Sequence, residues 1–207
     1  MTAPIATTAP IAAQALRRLY FLRFGFALVW AVVMFLTASS IGPVSATLLV
    51  IYPLFDVGAA IIDARSSRAS RSTRGLYVNI AISGVAAVGL AFAATSGIPA
   101  VLRVWGVWAI VAGLVQLAVA LSRRDLGGQR PMIASGTIST LAGISFLLQG
   151  ASSRDSLSNL AGYALLGGIF FLISALRLGR NANPSTGSGL RRQTRTQSPR
   201  NGWSAVR

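Results

Sequence analysis

The chain reads as an all-α integral membrane protein with six transmembrane helices arranged as three parallel helical-hairpin repeats. Three observations predict this. Of 207 residues, 53% are hydrophobic and only 11% are charged, where a soluble domain carries about a quarter charged. The apolar residues gather into six separate stretches. The formal charge is nevertheless +15, and the Arg residues that carry it fall in alternate connectors, as in a multi-span protein with one basic side.

Crossing the roughly 30 Å hydrocarbon layer takes about 17 to 25 mostly apolar helical residues, because every backbone polar group must be satisfied within the segment. The first qualifying stretch is 19–38 (LYFLRFGFALVWAVVMFLTA) and the second 45–62 (SATLLVIYPLFDVGAAII). The others are 77–94, 98–121, 131–149 and 157–176. All six are apolar around their whole circumference, which leaves no polar face to meet water.

The connectors explain where each span stops. Turns at 39–44, 95–97 and 150–156 are short and hold a single Arg, Arg154. The other side receives Arg17 and Arg18, then Arg65, Arg68, Arg71 and Arg74, then Arg123, Arg124 and Arg130, then Arg177, Arg180 and the tail. The positive-inside rule therefore places both termini in the cytoplasm. The membrane domain is expected over 18–180. Residues 1–17 lack a basic region ahead of an apolar core, so they read as a disordered cytoplasmic lead and not a signal peptide. Residues 181–207 are rich in Ser, Gly, Pro and Arg and read as a disordered cytoplasmic tail.

An internal period supports the hairpin reading. Gly58, Gly113 and Gly168 lie 55 residues apart, each late in an even-numbered span. The same register superimposes hairpins at about 18–66, 75–123 and 130–178. Ala109 with Gly113 and Ala164 with Gly168 form small-xxx-small pairs, which let helix backbones approach closely in lipid. Gly58, Ala109, Gly113, Ala164 and Gly168 are accordingly expected to pack helices. Gly89 and Phe92 are weakly answered by Gly143 and Phe146, and Ser135, Ser139 and Gly143 form another small-residue stripe. Such stripes serve self-association as readily as intramolecular packing, so a homo-oligomer is compatible with them.

These features resemble a known family. The three hairpins of about 55 residues, with LRFGFALVWAVVMF opening the first and AGYALLGGIFFLISALRLGR closing the last, are similar to the HdeD-like family of bacterial inner-membrane proteins. The resemblance covers roughly 18–180 and omits both tails. It implies a multi-pass protein of the bacterial cytoplasmic membrane linked to acid or envelope stress resistance, and it carries no catalytic residues. The extended Arg-rich tail departs from the compact family pattern.

Ionisable groups at membrane depth are costly and call for a partner. Asp56 lies six residues before the basic end of span two, about 9 Å inside at 1.5 Å per residue, and Arg23 lies about 6 Å in from the same side. Adjacent antiparallel helices bring the two within reach. Asn79 and Gln116 belong to the same half, so Arg23, Asp56, Asn79 and Gln116 form the candidate intramembrane polar cluster. The favoured role is an ion pair that locks the first hairpin; the alternative is a proton-linked small-solute transporter or channel using Asp56. Pro53, one turn earlier, leaves the carbonyl of Leu49 without its helical donor and is expected to bend span two. Arg103 is expected to snorkel to the outer headgroups.

Most enzyme classes lack their parts. The chain has no His and no Cys, and no Lys, so a Ser nucleophile has no base and no thiolate or His/Cys metal site can form. An aspartyl protease needs two facing carboxylates, and only Asp56 lies at depth. No P-loop or dinucleotide fingerprint appears. No enzymatic activity, cofactor or metal is expected. The bilayer itself is the principal partner. Arg191, Arg192, Arg195 and Arg200, with Trp203 nearby, suit anionic lipid headgroups, at about 1 kcal/mol per basic residue near the surface, in preference to nucleic acid.

Overall fold

A computed structural model describes residues 8–67, 74–122, 130–152 and 156–181. Six helices follow one another: α1 Thr8–Leu36, α2 Pro43–Ser67, α3 Arg74–Ser96, α4 Ile98–Ser122, α5 Arg130–Ala151 and α6 Ser158–Asn181. The described residues contain no strand, and each helix includes a span of 20 to 24 residues apolar enough to cross a bilayer. Large side chains such as Val29, Phe35, Val85, Phe92, Leu141 and Leu148 point outward from the bundle. A water-exposed surface would not tolerate so continuous an apolar face, whereas hydrocarbon requires one.

One boundary differs from expectation. Helix α1 starts at Thr8, so the second half of the stretch read as a disordered lead is helical. IAAQALRRL supplies Ala, Leu, Gln and Arg, all good helix formers, in direct continuity with the span. Residues 1–7 and the Arg-rich tail from 182 lie outside the described residues, as do Arg68, Arg71, Arg123, Arg124 and Arg154.

The helices form a ring. Each packs beside its chain neighbours, and α6 returns to α1. The closest pairs are α4 with α5, α1 with α6, and α2 with α3, whereas α5 and α6 barely meet. Those close pairs join different hairpins of the expected repeat, so the hairpin is not the unit of packing. The start of α1 and the end of α6 lie at one end of the bundle, the basal end, where the Arg17 guanidinium crosses Gly179.

Distal connections are tight. Gly97 alone separates α3 from α4 and has φ 101°, a left-handed conformation that Gly adopts without strain. The Leu157 amide donates to the Ala38 carbonyl at 2.9 Å, tying the α5–α6 connector to the α1–α2 connector. Arg103 reaches toward the distal end, where its Nη2 donates to the Gly150 carbonyl at 3.0 Å. A cation at the last turn of α5 satisfies a carbonyl that has no helical donor and opposes the negative end of the helix dipole.

The centre is filled by aromatic side chains. Trp30 of α1 stacks on Trp105 of α4 at 5.4 Å between ring centroids, and Tyr52 of α2 lies 5.5 Å from Trp105 and 4.7 Å from Trp30. Trp108 meets Trp105 edge-on at 5.2 Å. Trp30 and Trp105 are buried, together with Leu49, Leu90, Leu102 and Leu160. Pro53 is inside α2, as expected, and the Trp30 indole donates to the Leu48 carbonyl at 2.7 Å, one residue from the carbonyl that Pro53 frees.

Candidate functional site

Asp56 holds the centre of a polar network spanning four helices. Arg23 Nη2 on α1 donates to Oδ1 at 3.2 Å. Two donors on α3 reach Oδ2: Asn79 Nδ2 at 2.6 Å and Ser83 Oγ at 2.9 Å. Trp108 Nε1 on α4 then donates to Ser83 Oγ at 3.3 Å. The network forms because α2 lies between α1 and α3 in the ring, so one carboxylate on α2 meets donors from both neighbours. The Arg23 guanidinium also lies over the Phe171 ring of α6, 4.8 Å from its centroid, a placement that favours a cation electrostatically.

Three of the four cluster residues read from the sequence therefore meet, and the fourth does not. Gln116 accepts from Ser135 of α5 at 3.4 Å. Eight residues separate Gln116 from Trp108, which at about 100° per residue turns it about 80° around α4, away from Asp56 and toward α5. Depth in the membrane placed it with Asp56; rotation about the helix axis parts them.

Ser83, Trp108, Tyr52 and Phe171 belong to the site and were not singled out. Ser83 was recoverable: it follows Asn79 by four residues, and an i, i+4 pair shares one helix face. The aromatic residues carried no such signal, since they are ordinary constituents of apolar spans.

Arg23 and Asp56, with Phe26, Tyr52, Phe55 and Phe171, line a small cavity of about 20 Å³. Above it, toward the distal end, the Trp30, Tyr52, Trp105 and Trp108 rings occupy the axis. A second polar contact lies between α5 and α6, where the Ser139 and Tyr163 hydroxyls are hydrogen-bonded and Phe146 meets Tyr163 edge-on at 5.6 Å. The Arg23 to Asp56 contact is an ion pair within the membrane-spanning part of the bundle.

The five expected packing residues occupy different settings. Ala109 and Ala164 are buried. A Cβ on Gly113 would stand 2.6 Å from the Gly136 carbonyl oxygen, and one on Gly168 would stand 3.0 Å from the Ala27 Cβ. Gly58 packs against nothing: a Cβ there would meet no atom within 4 Å. The expectation for Gly58 is corrected because α2 turns that face outward. The weaker echo divides likewise, with Phe92 73% exposed and Phe146 3% exposed.

The tightest backbone contact follows another spacing. Gly106 opposes Gly143, Gly113 opposes Gly136, and Gly150 opposes Pro99, with each added Cβ falling 2.5 to 2.9 Å from a carbonyl oxygen across the α4–α5 seam. The positions recur every seven residues on both helices, the period that keeps one seam in register as two helices wind left-handedly.

Comparison with protein-family models, with curated proteins and with solved structures finds no match to this chain.

Proposed function

We propose that the chain is a non-enzymatic multi-pass protein of a bacterial cytoplasmic membrane, with both termini cytoplasmic, that contributes to acid or envelope stress resistance. The stress reading is supported by the resemblance to HdeD-like proteins carried by the motifs of the first and last hairpins. The observation that carries a scaffold role over a carrier role is the filled axis. Asp56 is engaged by Arg23, Asn79 and Ser83, and the cavity beside it measures about 20 Å³, too little for a solute beyond one or two water molecules. The larger space of about 360 Å³ is an open apolar groove between α2 and α3, lined by Ala46, Thr47, Val50, Ile51, Ala91 and Ala94, and does not include Asp56. The lack of His, Cys, Lys and Glu favours a non-enzymatic role. The Arg-rich tail then adds attraction to anionic lipid at the same face.

Acid-challenge survival of a deletion strain, complemented with the wild-type chain or with Asp56→Asn, tests this reading. Wild type restores survival, and Asp56→Asn restores it in proportion to its folded yield. Survival of the uncomplemented deletion strain equal to that of wild type removes the stress role.

The second reading, a proton-linked small-solute carrier, is favoured by an intramembrane acid one turn after Pro53 within α2. Flux into proteoliposomes with and without a pH gradient decides between them: gradient-coupled uptake establishes a carrier, and its absence over a solute panel leaves the scaffold.

A further inference from the structure

We infer that the cavity beside the Arg23–Asp56 pair is a binding site for one water molecule, which accepts a hydrogen bond from the Tyr52 hydroxyl and donates one to Asp56 Oδ1. Three observations meet there. The cavity measures about 20 Å³, and a single water needs about 10–15 Å³. Its lining combines a carboxylate, a guanidinium and a phenol with the rings of Phe26, Phe55 and Phe171, whereas cavities that stay dry are apolar throughout. Finally, the polar groups there are under-satisfied.

A carboxylate oxygen accepts two hydrogen bonds. Oδ2 has both, from Asn79 and Ser83, but Oδ1 has only Arg23. Tyr52 precedes Asp56 by one helical turn on α2, and its hydroxyl makes no hydrogen bond with the described residues. Arg23 Nε is buried and also has no acceptor among them, so a small rotation of the guanidinium gives the same water a second donor.

The charges decide which small ligand fits. A cation is repelled by Arg23 and an anion by Asp56, so the neutral pair selects a neutral molecule that both donates and accepts. Water meets this requirement at the available size. The side chains of Asp56 and Arg23 remain 23% and 14% exposed, so the site is not sealed. Bound water there exchanges and gives Asp56 a proton-exchange partner at membrane depth.

The test is an experimental structure of the full chain in lipid nanodiscs, at a resolution that shows ordered water, alongside Tyr52→Phe. The variant keeps the ring that packs on Trp30 and Trp105 and deletes only the hydroxyl. Wild type is expected to show one density peak within hydrogen-bond reach of Asp56 Oδ1 and Tyr52 Oη. Tyr52→Phe is expected to lose that peak or shift it toward Arg23 Nε. An empty cavity in the wild type with its side chains resolved overturns the inference, even if Tyr52→Phe does not fold. A peak unmoved by Tyr52→Phe overturns the bridging role of Tyr52.

Discussion

At Asp56 two helices contribute three donors to one carboxylate, so the cost of carrying a charge at membrane depth is shared unequally among them. Arg23 supplies the countercharge, and removing it leaves a largely buried carboxylate unpaired; Arg23→Gln is expected to cost ~3–5 kcal/mol. Ser83→Ala removes a neutral donor and is expected to cost about 0.6 kcal/mol, with ~1.7 kcal/mol as the upper end for hydrogen bonds between membrane helices. Reversible unfolding in mixed micelles, followed by loss of helicity, measures both. Equal losses for the two variants would remove the countercharge role of Arg23. A double-mutant cycle over Arg23 and Asp56 isolates the pair. The pair was legible in the sequence because a charge inside an apolar span has few options. Gln116 was misplaced because depth is a linear coordinate, readable from residue count, while direction around the helix is fixed by which neighbours pack where.

Among the elements, α4 and α5 are held by backbone contact and α5 and α6 hardly at all, although both pairs are chain neighbours. The difference lies in the glycines. Gly106 and Gly113 face Gly143 and Gly136, and the opposing atoms are main chain, which has no rotamer to yield. Gly143→Ala places a Cβ 2.5 Å from the Gly106 carbonyl oxygen and is expected to destabilise by ~1–3 kcal/mol through overpacking. Gly58→Ala meets open space and is expected to be neutral or to stabilise by up to ~1 kcal/mol, as Ala exceeds Gly in helix propensity. Thermal melting of the purified protein in one detergent compares them, and a larger loss at Gly58 would contradict the seam. Gly97→Ala, at φ 101°, is expected to cost ~1–2 kcal/mol from left-handed strain alone. The 55-residue glycine register joined positions that the fold puts in three environments. A period of seven within α4 and α5 was the informative spacing, because it matches the rise of helices in contact and not the length of a repeat.

Among the described residues of the whole molecule, charge and apolar surface divide along different axes: Arg17, Arg18, Arg65, Arg74, Arg130 and Arg177 lie toward the basal ends of their helices, and apolar side chains cover the circumference. The chain has no Cys, so single cysteines report the orientation cleanly. In spheroplasts, Ser40→Cys is expected to react with an impermeant maleimide, while Arg74→Cys is expected to react only after permeabilisation. The reverse pattern would invert the proposed topology. Composition along the chain specifies the number of spans, their approximate limits and the presence of a costly charge in the second. Those properties follow from local composition, because a bilayer forces each segment to satisfy its own backbone and to keep hydrophobic side chains outward. Helix packing sets the rest: α6 closes on α1, Ser83 and Trp108 join Asp56 while Gln116 turns to α5, and packing between the expected hairpins is closer than packing within the third. In a bilayer, hydrophobicity does not choose which helix faces pair, since lipid tails are as apolar as any side chain. Close fit and a few hydrogen bonds choose instead, and these depend on the rotation of every helix at once.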